Sequence, residues 1–143
     1  MCKKVFLDAN IFIDLNDETR ETSKESLVIL DYLVKNKISI YTSCDLITTI
    51  YYILSKKSKS KALDAIEYLN KICKVIDFTN YEISQTCKLM RENKNYKDLE
   101  DTIQYILAKN QNCDLIISND KNFYSQEVEL LNSNQFMKKF HIK

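Results

Sequence analysis

"VFLDANIFIDL", residues 5 to 15, is the stretch on which the reading of this chain turns. Val5, Phe6 and Leu7 form a short apolar run, and the run stops at an acid, Asp8. A continuous apolar run of this length fits a strand covered on both faces, as in a parallel sheet. A carboxylate at its tip has two readings. It caps a turn or helix, or it projects into the crevice where such sheets bind ligands and there holds a metal ion. Asn10 and Asp14 follow; Asp14, further along, reads as structural.

The rest of the chain alternates strand-like and helix-like segments. "KKVFLD" (3–8), "ISIYTS" (38–43), "KVIDF" (74–78), "DLIIS" (114–118) and the weaker "VELLN" (128–132) read as strands. Residues 23–36 carry Leu27, Leu30, Leu33 and Val34 at helical spacing, and helical patterns recur over 45–55, 60–73, 81–92, 98–110 and 133–140. With no glycine and no proline, turns fall to Asn, Asp, Ser and Lys, which cluster at the joints. Largely apolar strands separated by helices predict an α/β fold: a mostly parallel sheet of about four or five strands, helices on both faces. Residues 1–143 suit one domain, and no repeat or linker divides them.

Composition removes several function classes. The absence of glycine excludes GxGxxG and Walker-type phosphate loops. A single histidine, His141, near the C-terminus, excludes paired-histidine acid–base chemistry. Five cysteines (Cys2, Cys44, Cys73, Cys87, Cys113), widely spaced and without a CxxC pair, fit neither a disulfide framework nor a zinc site. They read mostly as buried thiols in a reducing compartment. No apolar run approaches the ~20 residues of a membrane span, and no signal peptide is evident, so the expected location is cytoplasmic. The net charge of +1 hides one cluster: "SKKSKSK" (55–61) holds Lys56, Lys57, Lys59 and Lys61 without an acid. Such a cluster is a solvated loop or a patch that contacts phosphates.

Carboxylates therefore carry the remaining chemistry. Asp120 closes "LIISND" just past another apolar strand, as Asp8 does. In "KDLEDTIQYILAKN" (97–110), Leu99, Ile103, Ile106 and Leu107 make the core stripe of a helix, and Asp98 and Asp101 share a different face. On the same spacing Glu100 turns away from Asp98 toward solvent, a partner for the helix dipole. Each acid alone has a capping or turn reading. Together at one sheet edge, Asp8, Asp101 and Asp120 would repel unless a cation lay among them. Oxygen ligands without histidine suit Mg²⁺ or Mn²⁺ rather than Zn²⁺.

In order and spacing these segments resemble the PIN domain family of metal-dependent ribonucleases, which includes VapC-type toxins. The resemblance spans nearly the whole chain. It rests on "VFLDANIFIDL", "SCDLITTIYYIL", "DLEDTIQYILAKNQNCDLIISNDKNF" and "VELLNSNQFM". The family's Asp-Thr-Asn reads here Asp8-Ala9-Asn10; its Asp-Ala-(Leu/Ile) helix reads Asp101-Thr102-Ile103; its strand-end turn reads Ser118-Asn119-Asp120. The resemblance implies a three-layer α/β/α sandwich with strand order 3-2-1-4-5. It implies that Asp8, Asp101 and Asp120 bind metal, that Asn10 and Ser118 support them, and that Asp98 is an extra acid. One position departs: where most active relatives carry a second-helix Glu, this chain has Thr49, and Asp45, one turn earlier, either substitutes or caps its helix.

The function so implied is an Mg²⁺- or Mn²⁺-dependent endoribonuclease leaving a 5′-phosphate and a 3′-hydroxyl. The resemblance further implies the toxin of a toxin–antitoxin pair, blocked by a small antitoxin, and a homodimer. The lysines at 56, 57, 59 and 61 are the candidate contacts to the RNA backbone. The alternative, supported by Thr49, is a catalytically silent PIN-like module that binds RNA or a protein. A receiver-like phosphoacceptor fits poorly, because Asp77 lies inside "KVIDF" rather than after it.

Overall fold

Each apolar run pairs with another of its kind. The computed structural model describes residues 2–143. Its strands are β1 (Lys4–Leu7), β2 (Ser39–Ser43), β3 (Cys73–Ile76), β4 (Leu115–Ile117) and β5 (Glu129–Leu131). Its helices are α1 (Ala9–Leu15), α2 (Ser23–Lys35), α3 (Cys44–Leu54), α4 (Lys59–Ile72), α5 (Asn80–Glu92), α6 (Leu99–Asn110) and α7 (Ser133–Lys139). The sheet order is β3-β2-β1-β4-β5, and all four pairings are parallel. Helices α1, α2, α3 and α7 pack as one connected set, while α5 and α6 pack on each other. The expected architecture and strand order hold.

The order reverses between β1 and β4. The chain leaves β1 toward β2 and β3, then returns to the other side of β1 to lay down β4 and β5. Right-handed crossovers put the helices of the two excursions on opposite faces. The ends of β1 and β4 therefore bound an open crevice, the topological switch point of the sheet. Phe6, Leu7, Ile116 and Ile117 are fully buried beneath it, and Asp8 N–H donates to Ile117 O at 3.1 Å, clamping the two strand ends together.

Helix α1 was not expected from the sequence. Ala9, Ile11, Phe12, Ile13 and Asp14 are all buried, and seven residues with Asn10 and Asp14 as the polar members are too few to show a helical period. What starts it is Asp8, whose side chain accepts from Ala9 N–H. Other helices begin by the same rule. Asp98 accepts from Asp101 N–H, Ser58 from Lys61 N–H, and Asn132 and Gln135 exchange bonds in a capping box.

Lacking glycine, the chain closes three helices on left-handed residues that carry a Cβ: Lys37 (φ 55°), Asn112 (φ 57°) and His141 (φ 55°). Behind each, the next N–H reaches back five residues, Ile38 to Leu33, Cys113 to Ala108 and Ile142 to Met137. These are Schellman ends, where glycine is the usual residue. The sole histidine thus serves a helix terminus.

The cysteines are all free, and their burial corrects the expectation in part: Cys113 is buried, Cys2, Cys44 and Cys73 are half-buried, and Cys87 is exposed. Asp14 is structural in placement, as expected: it is 2% exposed and accepts from Arg20, Thr22 and Ser26. Among the described residues, no helix is long and apolar enough to cross a membrane.

Candidate active site

Asp8 meets the capping reading, and its carboxylate also ties the end of β1 to the turn after β4. It is 5% exposed, and its two oxygens have separate duties. Oδ1 accepts from Ala9 N–H at 2.7 Å and so caps α1. Oδ2 accepts from Ser118 Oγ at 2.7 Å and from Asn10 Nδ2 at 3.0 Å. Burial pushes this carboxyl above its ordinary value; the bonds from Ser118 and Ala9 pull it down, and the charge of Asp120 pushes it up. Asn10 Oδ1 in turn accepts from Asn119 N–H at 3.2 Å, and Ser118 Oγ accepts from Asp120 N–H at 3.1 Å. The turn after β4 is thereby tied to the turn after β1.

The second wall of the crevice is the start of α6. Asp98, Glu100, Asp101 and Asp120 line a cleft of about 690 Å³, with Lys97 and Lys121 at its margin. The Asp101 carboxyl is pushed up to about 7, first by burial, then by the charges of Asp8, Asp98, Asp120 and Glu100. Asp98 is both a cleft residue and the helix cap, its Oδ2 accepting from Asp101 N–H at 2.9 Å. Asp120 Oδ1 accepts from Asn122 N–H at 2.9 Å, which leaves its other oxygen without a partner among the described residues.

Glu100 is exposed in the first turn of α6, as its spacing implied, and Asp98, extended (φ −110°, ψ 129°), precedes the helix as its cap. Much of Glu100 is exposed, yet it lines the cleft. Packing around its carboxyl raises it, and Asp45, Asp8 and Asp98 push the same way. Asp45, in the first turn of α3, accepts a short hydrogen bond from Ser43 Oγ and stands near enough to act on Glu100. Thr49, one turn further on, is half-buried and does not line the cleft.

Gln104 was read as part of the helix rather than the site. It is fully buried, and neither amide atom forms a well-made hydrogen bond, although the amide stands close enough to lower the Asp8 carboxyl. A glutamine between Ile103 and Tyr105 on a core-facing helix was the available signal.

The four lysines do not join this group. Lys57 and Lys61 line a separate cleft of about 510 Å³ beside α3 and α4, with Asn16, Asp17 and Tyr68. Lys57 Nζ is bound to Asp17 at 3.1 Å, Lys56 lies 4.8 Å over the Tyr52 ring, and Lys59 is exposed at the start of α4. Asp17 sits past the far end of α1, roughly 10 Å of helix from Asp8.

The donor set fits a hard divalent cation. Every candidate ligand is a carboxylate oxygen, Asp101 is raised by burial and then by its neighbours' charge, and among the described residues the amide of Gln104 is left unsatisfied beside Asp8, which marks room for a further polar group. Among the described residues no three of these side chains stand as a ready-made ligand shell, so water would complete the coordination, as Mg²⁺ commonly requires.

A parallel 3-2-1-4-5 sheet with acids at its switch point defines a class, and a family model described as PIN domain matches residues 4–122: the chain belongs to the PIN domain family. Over 139 residues it is 45% identical to Ribonuclease VapC1 of Aquifex aeolicus (strain VF5), covering 97% of this chain and 96% of that protein. Among solved structures, VapBC2 from Rickettsia felis bound to a promoter DNA fragment aligns with a TM-score of 0.69 at 18% identity, over 90% of this chain and 98% of that one. Mycobacterium tuberculosis VapC20, a sarcin-ricin loop cleaving toxin, aligns with a TM-score of 0.67 at 15% identity, over 83% and 92%.

Proposed function

We propose that this protein is a cytoplasmic, single-domain endoribonuclease that depends on Mg²⁺ or Mn²⁺ and acts as the toxin of a toxin–antitoxin pair. The observation that carries the reading is the gathering of Asp98, Asp101 and Asp120 in one cleft with Asp8 close by, where burial first and then the neighbouring charges raise the Asp101 carboxyl to about 7. The 45% identity to Ribonuclease VapC1 supplies the substrate class.

In this reading Asp8, Asp101 and Asp120 hold the ion, with Asp98 beside them. Glu100 takes the duty that Thr49 leaves unfilled, and Asp45 keeps mainly its place in the first turn of α3. When bound, the ion activates a water for attack on the phosphodiester and stabilises the charge that builds there. Ser118 and Asn10 fix the plane of the Asp8 carboxylate, which keeps a buried ligand in one orientation. Lys97 and Lys121 flank the cleft and draw the polyanion toward a centre that would repel it. Lys56, Lys57, Lys59 and Lys61 contact RNA only away from the cleaved bond. The antitoxin partner and the homodimer rest on likeness to the VapC proteins.

The test is cleavage of a mixed RNA with Mg²⁺ or Mn²⁺ by the native chain and by Asp8→Asn and Asp101→Asn. Cleavage that needs the ion and disappears in both variants upholds the reading. A folded native protein that cleaves no better than the variants favours the silent binding module, for which Thr49 is the specific support.

A further inference from the structure

Arg20 lies in the loop between α1 and α2, in a chain whose other cations are nearly all lysine. A guanidinium can hold one partner through Nε and another through its two Nη groups, which an ammonium cannot do in fixed geometry. Here Nε donates to Asp14 Oδ1 at 2.6 Å. Asp14 is buried and also accepts from Thr22 Oγ1, Ser26 Oγ and Asn119 Nδ2, so it fixes the arginine without being free for anything else. Among the described residues, nothing accepts from either Nη, and the side chain is 38% exposed.

Arg20 lines a cleft of about 430 Å³ with Asn10, Asp14, Glu21, Thr22 and Asn119. This cleft and the acid cleft back onto one crest. Asn10 lines the first and bonds Asp8; Asn119 lines the first and precedes Asp120, which lines the second. Thr22 adds a supporting feature. It stands at the N-cap of α2 but gives its hydroxyl to Asp14 and makes no capping bond, so the N–H groups of Lys24 and Glu25 have no acceptor among the described residues. Unused donors and the positive helix end thus lie beside the guanidinium. Against them, the exposed carboxylate of Glu21 stands on the rim, and Glu25 shares the first turn of α2.

We propose that Arg20 and the cleft it lines form a subsite for a backbone phosphate of single-stranded RNA, seating the strand across the crest beside the acid cleft. This rests on the nuclease reading above and adds to it the place where the substrate is gripped. Asp14 holds the arginine as a preorganised fork, and Glu21 opposes binding, which keeps the grip weak enough to release product.

The test compares the native protein with Arg20→Lys in cleavage of single-stranded RNA from 50 to 300 mM salt, at the order of the range over which phosphate contacts show. A lysine keeps the ion pair with Asp14 and loses the outward donors. Its urea midpoint should stay near native while KM rises about tenfold at unchanged kcat. The slope of log(kcat/KM) against log salt should flatten by about 0.7, the loss of one single-strand phosphate contact. Glu21→Gln should lower KM. As a measurement that needs no variant, RNA added to the native protein in EDTA should shift the backbone amide signals of Lys24 and Glu25. Native KM and slope in a folded Arg20→Lys, or unmoved amides while other signals shift, overturn the subsite alone. A native protein that neither cleaves nor binds RNA overturns the nuclease reading and the subsite together.

Discussion

Replacing Asp101 by Asn should stabilise the metal-free protein at alkaline pH, although it removes a proposed ligand. In the unfolded chain the Asp101 carboxyl ionises near 3.8; in the folded chain it keeps its proton up to about 7. The favourable contribution of the protonated group is therefore complete below about 4 and is lost as pH rises through 7. A shift of roughly three units corresponds to about 4 kcal/mol at 1.36 kcal/mol per unit. Asp101 is only half-buried, so solvent screening reduces this to about 1–2 kcal/mol. Asparagine copies the shape of the protonated acid and never ionises. In EDTA, urea unfolding followed by circular dichroism should show the variant about 1–2 kcal/mol more stable at pH 8, or roughly 3–8 °C in Tm. The gap should close steadily toward pH 4. Adding Mg²⁺ should then stabilise the native protein more than the variant, because the ion offsets the charges that repel. A variant less stable than native at pH 8 in EDTA, or a gap independent of pH, would refute the account of Asp101 as a half-buried carboxyl raised by burial and by neighbouring acids.

Three other outcomes follow from the same structure. Lys37→Gly should stabilise the fold by up to about 1 kcal/mol in urea unfolding, because a residue with a Cβ is strained at φ 55°. Ser118→Ala should lower Mn²⁺ affinity and RNA cleavage by about 10–100-fold, read by calorimetry and initial rates, since it removes the 2.7 Å bond that orients Asp8. At pH 8 a thiol reagent should label exposed Cys87 first, whereas Cys73 and Cys113, whose thiols burial pushes up to about 12, should react only as the protein unfolds, read by mass spectrometry.

The sheet was legible because each strand is a short apolar run with polar bounds, and all five runs lie where the sequence placed them. Six helices were legible from the spacing of their apolar residues or their caps. Helix α1 was hidden because it is buried on most sides and, at seven residues, is too short to show a period. In the candidate site, Asp8 and Asp120 stood out by following strands, and Asp98 and Asp101 by sharing a helix start. Glu100 is exposed as its spacing implied, and what the spacing could not show is that it also lines the cleft. The role of Asn119 was hidden for a different reason: its partners, Asn10, Asp14 and Ser133, lie distant along the chain. The lysine cluster is a conspicuous local composition whose position relative to the crevice only the fold reveals.

The bond from Ser118 to Asp8 joins residues 110 positions apart. At about 5–20 residues per second, a ribosome takes on the order of 10 s to travel between them. Until β4 emerges and inserts beside β1, Asp8 has neither its hydroxyl partner nor the neighbouring acids of α6 and the β4 turn. A nascent chain whose β4 has not yet emerged therefore carries no assembled cleft. The order of strands works as a delay: the acid at the tip of β1 is made early, and the residues that complete its surroundings come last.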